Sequence, residues 1–176
     1  GDHFQLPPTV LSKKAEAGGL GLTLFERLYP LLDEKFKILL KIQYRMHEKI
    51  MNFSSKKFYG GKLIADESVR SHTLADLVHV KRAPETEEVF LYLDTAGRGF
   101  EEMLEPSSES RYNPEEAKLV LEVLKGLLNL GVRPEEIAVI SPYSAQVRLL
   151  ASKALYPGLE VDSVDGFQGR GNEEVL

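Results

Sequence analysis

Three short polar segments of this chain carry side chains that can hold phosphate, sugar or base. The first is Gln43-Tyr44-Arg45-Met46-His47. An arginine there can give a two-pronged, charge-assisted contact to a phosphate, and a tyrosine face can stack on a base. The same residues also suit an ordinary strand-to-helix junction. The second is Ser141-Pro142-Tyr143-Ser144, whose hydroxyls are of the kind that contact phosphates, although Ser-Pro also marks plain loops. The third runs from Asp165 to Arg170 as Asp-Gly-Phe-Gln-Gly-Arg. Its two glycines permit tight turns or close backbone approach, and its Gln and Arg can address sugar or phosphate; a simple turn after a strand is the competing account. A fourth stretch, Gly1 to Pro8 (GDHFQLPP), has the look either of a ragged terminus or of one edge of a divided site.

Other candidates carry less. His47 has no evident carboxylate partner and suits a helix start. Gly18-Gly19 and Gly97-Arg98-Gly99 do not match a phosphate-binding loop, and the pattern G-x-x-x-x-G-K-[ST] occurs nowhere in the chain. The acidic pairs Glu87-Glu88, Glu101-Glu102 and Glu173-Glu174 have no metal-ligand spacing and read as solvated faces.

These segments need a scaffold. With 176 residues, 43% of them hydrophobic and 28% charged, the chain has the length and composition of one globular domain. No apolar run approaches the roughly 20 residues that span a bilayer. The absence of cysteine excludes disulfides and thiolate metal sites and suits an intracellular location, in the cytoplasm or the nucleus or nucleoid. A net charge of −5 argues mildly against a generally basic nucleic-acid surface but leaves room for a local one.

The pattern predicts a helix from about Leu22 to Leu32 behind a Thr23–Glu26 capping box. A buried strand is expected over Phe36–Ile42, and a helix from His47 to Phe58 that ends at Gly60-Gly61. Ser68 to Pro84 reads as loop with short helical turns, Val89–Leu93 as a strand, and Thr95–Tyr112 as an exposed loop. Asn113-Pro114-Glu115-Glu116 starts a helix lined by Leu119, Leu121, Leu124, Leu127 and Leu128 that runs to Gly131. Strands over Ile137–Ser141, Val161–Val164 and from Glu174 onward, with a helix from Ser144 to about Leu155, complete the pattern. Strands alternating with helices imply parallel pairing and an α/β layered sheet, with ligands at the carboxyl ends of the strands. All three polar segments follow strands.

Taken in order, Gly1–Pro8, Gln43–His47, Ser141–Gln146 and Val164–Arg170 resemble the motifs of superfamily 1B helicases of the nonsense-mediated-decay and immunoglobulin mu-binding type, over almost the whole chain. That resemblance implies a three-layer RecA-like fold of the P-loop NTPase type, with a mainly parallel sheet, flanking helices and a truncated C-terminal end. Residues 1–34 would be a remnant of a first RecA-like domain, and 35–176 an incomplete second one. It further implies that Gln5 senses the γ-phosphate, that Tyr44 flanks the adenine and that Arg45 reaches the γ-phosphate. Gly169 and Arg170 would add nucleotide contacts. Pro142, Tyr143, Gln146, Ser163, Asp165 and Gln168 would grip single-stranded DNA or RNA. No metal ligand is assigned.

The implied parent is a helicase using ATP and Mg2+ and moving 5′ to 3′. The phosphate-binding loop and magnesium motif would lie before Gly1, and a further arginine motif after Leu176. Where the family has Glu, this chain has Gly171 followed by Asn172. The fragment is expected to be inactive as an ATPase without its first domain, to hold no cofactor tightly and to meet no membrane. Its residues 1–8 are expected to be poorly ordered or packed in a non-native way. A stand-alone nucleic-acid-binding module and a structural α/β scaffold are the rival readings.

Overall fold

The computed structural model describes residues 2–7 and 9–167, and the backbone of 174–175. Its helices and strands, in chain order, are α1 (Lys13–Ala17), α2 (Leu24–Leu28), β1 (Ile42–Gln43), α3 (Glu48–Phe58), β2 (Ile64–Ala65), α4 (Glu67–Arg70), α5 (Pro84–Glu87), β3 (Met103–Leu104), β4 (Arg111–Tyr112), α6 (Pro114–Asn129), β5 (Ile137–Ser141), α7 (Ser144–Lys153), β6 (Glu160–Ser163), α8 (Val164–Phe167) and β7 (Glu174–Val175). The architecture is α/β with short parallel sheets and flanking helices, as the RecA-like reading expects. β5 lies between β6 and β7 and is parallel to both. β1 pairs in parallel with β2 in a separate two-stranded sheet, and β3 and β4 form an antiparallel hairpin.

Local chemistry explains the well-formed half. Asn113 accepts from the N–H groups of Glu115 and Glu116, at 3.1 Å each, and Pro114 needs no donor at the first helical position. Behind this cap the leucine spacing gives α6 an apolar stripe. Its Leu124 and Leu127 are buried with Val132, Ile137, Leu74 and Val80, while Ala117 packs with Val139 of β5 and Leu150 of α7. Because α7 connects β5 to β6, the strand–helix–strand unit is a parallel crossover resting on α6.

At the end of α6 the backbone turns at Gly131, with φ of 101°. A Cβ there would stand 2.3 Å from the His79 carbonyl oxygen, so only glycine admits the strand of loop that crosses beneath. That loop is pinned by Lys81 N–H donating to the Leu130 carbonyl at 2.7 Å, and by His79 Nε2 lying 3.0 Å from Glu136 Oε2. Burial pushes the Glu136 carboxyl up, but His79 and the Arg133 N–H bonded to it prevail and hold it below its ordinary 4.5.

Two expected strands fail over most or all of their length. Of Phe36–Ile42 only Ile42 enters a strand, while Phe36–Leu40 and the whole of Val89–Leu93 have no strand partner among the described residues. Ile38 and Leu40 are 86% and 83% exposed. Apolar side chains make a strand only when a neighbour takes up the backbone N–H and C=O groups, and here pairing begins at Lys41, whose carbonyl accepts from Ile64. The expected helix to Leu32 is shorter too. The capping box forms as predicted, but α2 ends at Leu28 and a 3₁₀ turn at Tyr29–Leu31 takes over at Pro30. The expected loop before α6 contains the β3–β4 hairpin.

The described part of the N-terminal segment packs through its first residues. Residues 2–4 lie against α2 and the end of α3. The His3 ring lies 6.0 Å from Phe25 and 4.9 Å from Tyr29, and the Phe4 ring 5.6 Å from Phe58. Tyr59 donates to Asp2 Oδ2 at 2.5 Å. Among the described residues, no helix is long and apolar enough to cross a membrane.

Replacing Gly131 with Ala forces a left-handed backbone on a side chain and a clash with the His79 carbonyl, so urea unfolding should show a loss of about 2 kcal/mol. The carboxylate of Glu136 stabilises the fold above its ordinary value of 4.5, and that contribution disappears as pH falls through its lowered value. The stability gap between the wild type and Glu136→Gln should therefore shrink as pH falls below about 4.5.

Candidate nucleotide and nucleic-acid site

The site is built at strand ends. Ser141 and Ser163, the last residues of β5 and β6, are register partners on adjacent parallel strands. The Ser141–Tyr143 and Ser163–Asp165 segments therefore leave the sheet side by side, although 22 positions of sequence separate their first residues. Ser141 is buried, and its Oγ accepts from the Tyr143 N–H at 3.3 Å to hold the turn. That turn leaves Pro142 exposed and Tyr143 44% exposed at the start of α7.

The first turn of α7 has no cap from its own flank. Ser110, just before β4, supplies one: its Oγ accepts from the Ala145 N–H at 3.1 Å and lies 3.2 Å from the Ser144 hydroxyl. Ser163 plays the corresponding part at α8, where its Oγ accepts from the Gly166 N–H at 3.3 Å. Asp165 stays exposed. A Cβ on Gly166 would fall 2.2 Å from Asp162 Oδ2, so a side chain there would displace the Asp162 carboxylate.

Gln146 is placed differently from its expected role. It is 7% exposed, and both ends of its amide are taken by the backbone of Asn113. Oε1 accepts from the Asn113 N–H at 2.9 Å, and Nε2 donates to the Asn113 carbonyl at 3.2 Å. Gln146 thus braces the starts of α6 and α7 from a buried position. Between these two helix starts lies a cleft of about 440 Å³, bordered by Tyr112, Asn113, Glu116, Ser141, Tyr143 and Gln146.

Two arginines at α7 and the neighbouring hairpin are already engaged. Arg148 is held by Glu105 and Ser108 of the β3–β4 connection, and Arg111 by Glu102. The bonds from Ser108 and Arg148 hold the Glu105 carboxyl below its ordinary range.

The Tyr44–Arg45 segment belongs to the other sheet. Gln43, the last residue of β1, organises it: Oε1 accepts from the N–H groups of Arg45 and Met46 at 2.9 Å each, while Nε2 donates to the Met46 carbonyl at 2.7 Å. The bend throws both Tyr44, 66% exposed, and Arg45 into solvent. Arg45 makes no ion pair among the described residues. His47 is the N-cap of α3, its Nδ1 accepting from the Lys49 N–H at 3.0 Å, which matches its expected helix-start role.

Gln5 is exposed and bonded to Asp2 at 3.0 Å. Among the described residues no hydrogen bond or ion pair joins Gln5, the Tyr44–Arg45 bend and the Ser141–Ser163 edge to one another. Gln168, Gly169, Arg170 and Gly171 lie outside the described residues. No group of three His, Asp or Glu among the described residues could hold a metal ion.

Sequence reasoning missed Gln43, Ser110 and the bracing duty of Gln146. Gln43 carried a local signal, a side chain able to reach the free N–H groups two and three residues on. Ser110 and Gln146 carried none, since their partners lie 35 and 33 positions away.

Gln146→Ala strands a buried N–H and a buried C=O, which predicts a loss of about 3 kcal/mol in urea unfolding. Tyr143→Ala, on the exposed rim, should cost less than about 1 kcal/mol in the same measurement.

A family model described as an AAA domain matches residues 20–176. The chain is 44% identical over 178 residues to DNA-binding protein SMUBP-2 of Rattus norvegicus. It is 45% identical over 186 residues to the uncharacterized ATP-dependent helicase MJ0104 of Methanocaldococcus jannaschii, and 35% identical over 188 residues to the regulator of nonsense transcripts 1 homolog of Drosophila melanogaster. Each alignment covers the whole of this chain but only 18%, 26% and 15% of the respective relative. The chain belongs to the AAA domain family, in its superfamily 1 helicase branch of the nonsense-mediated-decay and immunoglobulin mu-binding type.

Proposed function

We propose that residues 35–176 belong to the second RecA-like motor domain, and residues 1–34 to the end of the first, of an ATP-dependent helicase that moves 5′ to 3′ along single-stranded DNA or RNA inside the cell. The observation that carries the proposal is the pairing of Ser141 with Ser163. Two polar segments thereby emerge side by side from the carboxyl edge of one parallel sheet, where α/β folds bind ligands. Pro142, Tyr143, Ser163, Asp165 and Gln168 form the nucleic-acid track. An exposed tyrosine and a row of small polar groups suit a strand read by stacking and backbone contact, without sequence preference.

The Gln43-braced bend supplies half of a nucleotide site. Tyr44 is the face for adenine, and Arg45, exposed and free of an acidic partner among the described residues, is the cation for the γ-phosphate, with Gly169 and Arg170 completing the contacts. ATP supplies the transferable phosphoryl group when bound. Arg45 stabilises the charge that develops on its oxygens, and Gln5 addresses the same phosphate from the segment 2–7. The other half of the cleft belongs to a first RecA-like domain carrying the phosphate-binding loop, which this chain's sequence lacks. The described residues give no ligand cluster for Mg2+.

Two measurements test this. The 176-residue chain alone should show no magnesium-dependent ATP hydrolysis above background; sustained turnover by the purified chain would contradict the divided-cleft account. In the full-length protein, Arg45→Ala should lower the kcat of nucleic-acid-stimulated ATP hydrolysis by about a thousandfold. A wild-type rate in that variant would remove Arg45 from the nucleotide site.

A further inference from the structure

The hydroxyl of Tyr59, the C-cap of α3, makes a short bond to the N-terminal segment, and the sequence reading assigned it no role. It donates to Asp2 Oδ2 at 2.5 Å. The same carboxylate oxygen accepts from Gln5 Nε2 at 3.0 Å, and Asp2 Oδ1 accepts from the Phe4 N–H at 3.1 Å. Gln5 N–H lies a further 3.4 Å from the Asp2 carbonyl, so the segment closes on itself around one carboxylate. Phe4 is wedged against the ring pair that ends α3, 5.6 Å from Phe58 and edge-on to Tyr59 at 5.4 Å.

We propose that Tyr59 is a positioning residue that acts through Asp2 to hold the side-chain amide of Gln5 in one orientation. The inference rests on the motor reading above, in which Gln5 addresses the γ-phosphate. An ionised carboxylate only accepts hydrogen bonds, so Asp2 selects the Nε2 end of the amide and excludes the flipped form. That choice leaves Gln5 Oε1 to accept from a water and the second N–H to donate to a phosphate oxygen, the two duties a γ-phosphate sensor needs. Tyr59 can only donate to a carboxylate of this kind, which keeps Asp2 in place.

The electrostatics agree with the geometry. Burial pushes the Asp2 carboxyl up, but the bonds from Tyr59, Phe4 and Gln5, with His3 nearby, prevail and hold it below its ordinary 3.8. Burial and the Asp2 carboxylate push the Tyr59 phenol up to about 12. Both groups therefore keep the donor and acceptor states the relay requires across the whole neutral range. α3 is 11 residues long, so it spans about 16 Å. Its last residue, Phe58, and its C-cap Tyr59 hold the Gln5 segment through Phe4 and Asp2.

The test uses the full-length protein and its nucleic-acid-stimulated ATP hydrolysis. Tyr59→Phe keeps the ring packing and removes the hydroxyl. It should lower kcat about fivefold, the worth of one net hydrogen bond, and leave the KM for ATP near that of the wild type. In a Gln5→Ala background the same substitution should have no further effect, because Tyr59 acts through Gln5. Hydrogen exchange at the Phe4 and Gln5 amides should quicken in Tyr59→Phe. An equal loss of kcat in both backgrounds, no loss in the wild-type background, or unchanged exchange would each overturn the relay. A wild-type protein without stimulated ATP hydrolysis would instead overturn the motor reading, and the relay with it.

Discussion

The candidate nucleic-acid edge depends on one buried amide. Gln146 grips both backbone groups of Asn113, and Asn113 in turn caps α6, so the starts of α6 and α7 are tied across 33 positions of sequence. Neither helix can shift without stranding a buried donor and a buried acceptor, a cost of about 1–3 kcal/mol for each group. The turn at Ser141–Tyr143 is the short span between β5 and the helix so fixed. Its exposed Pro142 and Tyr143 are therefore held on a rigid base, while the bonded groups face inward. Rigid support of this kind is what a surface meant to meet a flexible single strand requires.

The same logic recurs at each polar segment. Gln43 spends its amide on the bend that exposes Tyr44 and Arg45, Ser163 caps α8 beside Asp165, and Asp2 holds Gln5. In every case one side chain is consumed by local backbone or a near neighbour so that the next is presented to solvent. A motif of five or six residues thus divides its labour between bracing and contact. Sequence alone shows the motif, but the hydrogen bonds decide which member does which task.

Legibility followed the range of the forces. α6 could be read because its start is local, with Asn113, Pro114 and two glutamates in four positions, and because its leucines repeat at helical spacing. β5 could be read from a short apolar run that two parallel neighbours do bury. The equally apolar Phe36–Leu40 and Val89–Leu93 could not, since a strand exists only through a partner elsewhere in the chain. Gln146 stands in the motif where a contact residue belongs, and only its closeness to Asn113 in the fold shows it to be a brace. The Asp2–Tyr59 bond spans 57 positions and left no local trace.

The central claim is that single-stranded nucleic acid lies along the carboxyl edge of β5 and β6. Photocrosslinking of the protein to a single-stranded oligonucleotide of mixed sequence, with the attached peptides identified by mass spectrometry, tests it most directly. Crosslinks should concentrate in the peptides carrying Pro142–Tyr143 and Ser163–Asp165. Crosslinks confined to α3 through α5 would contradict it.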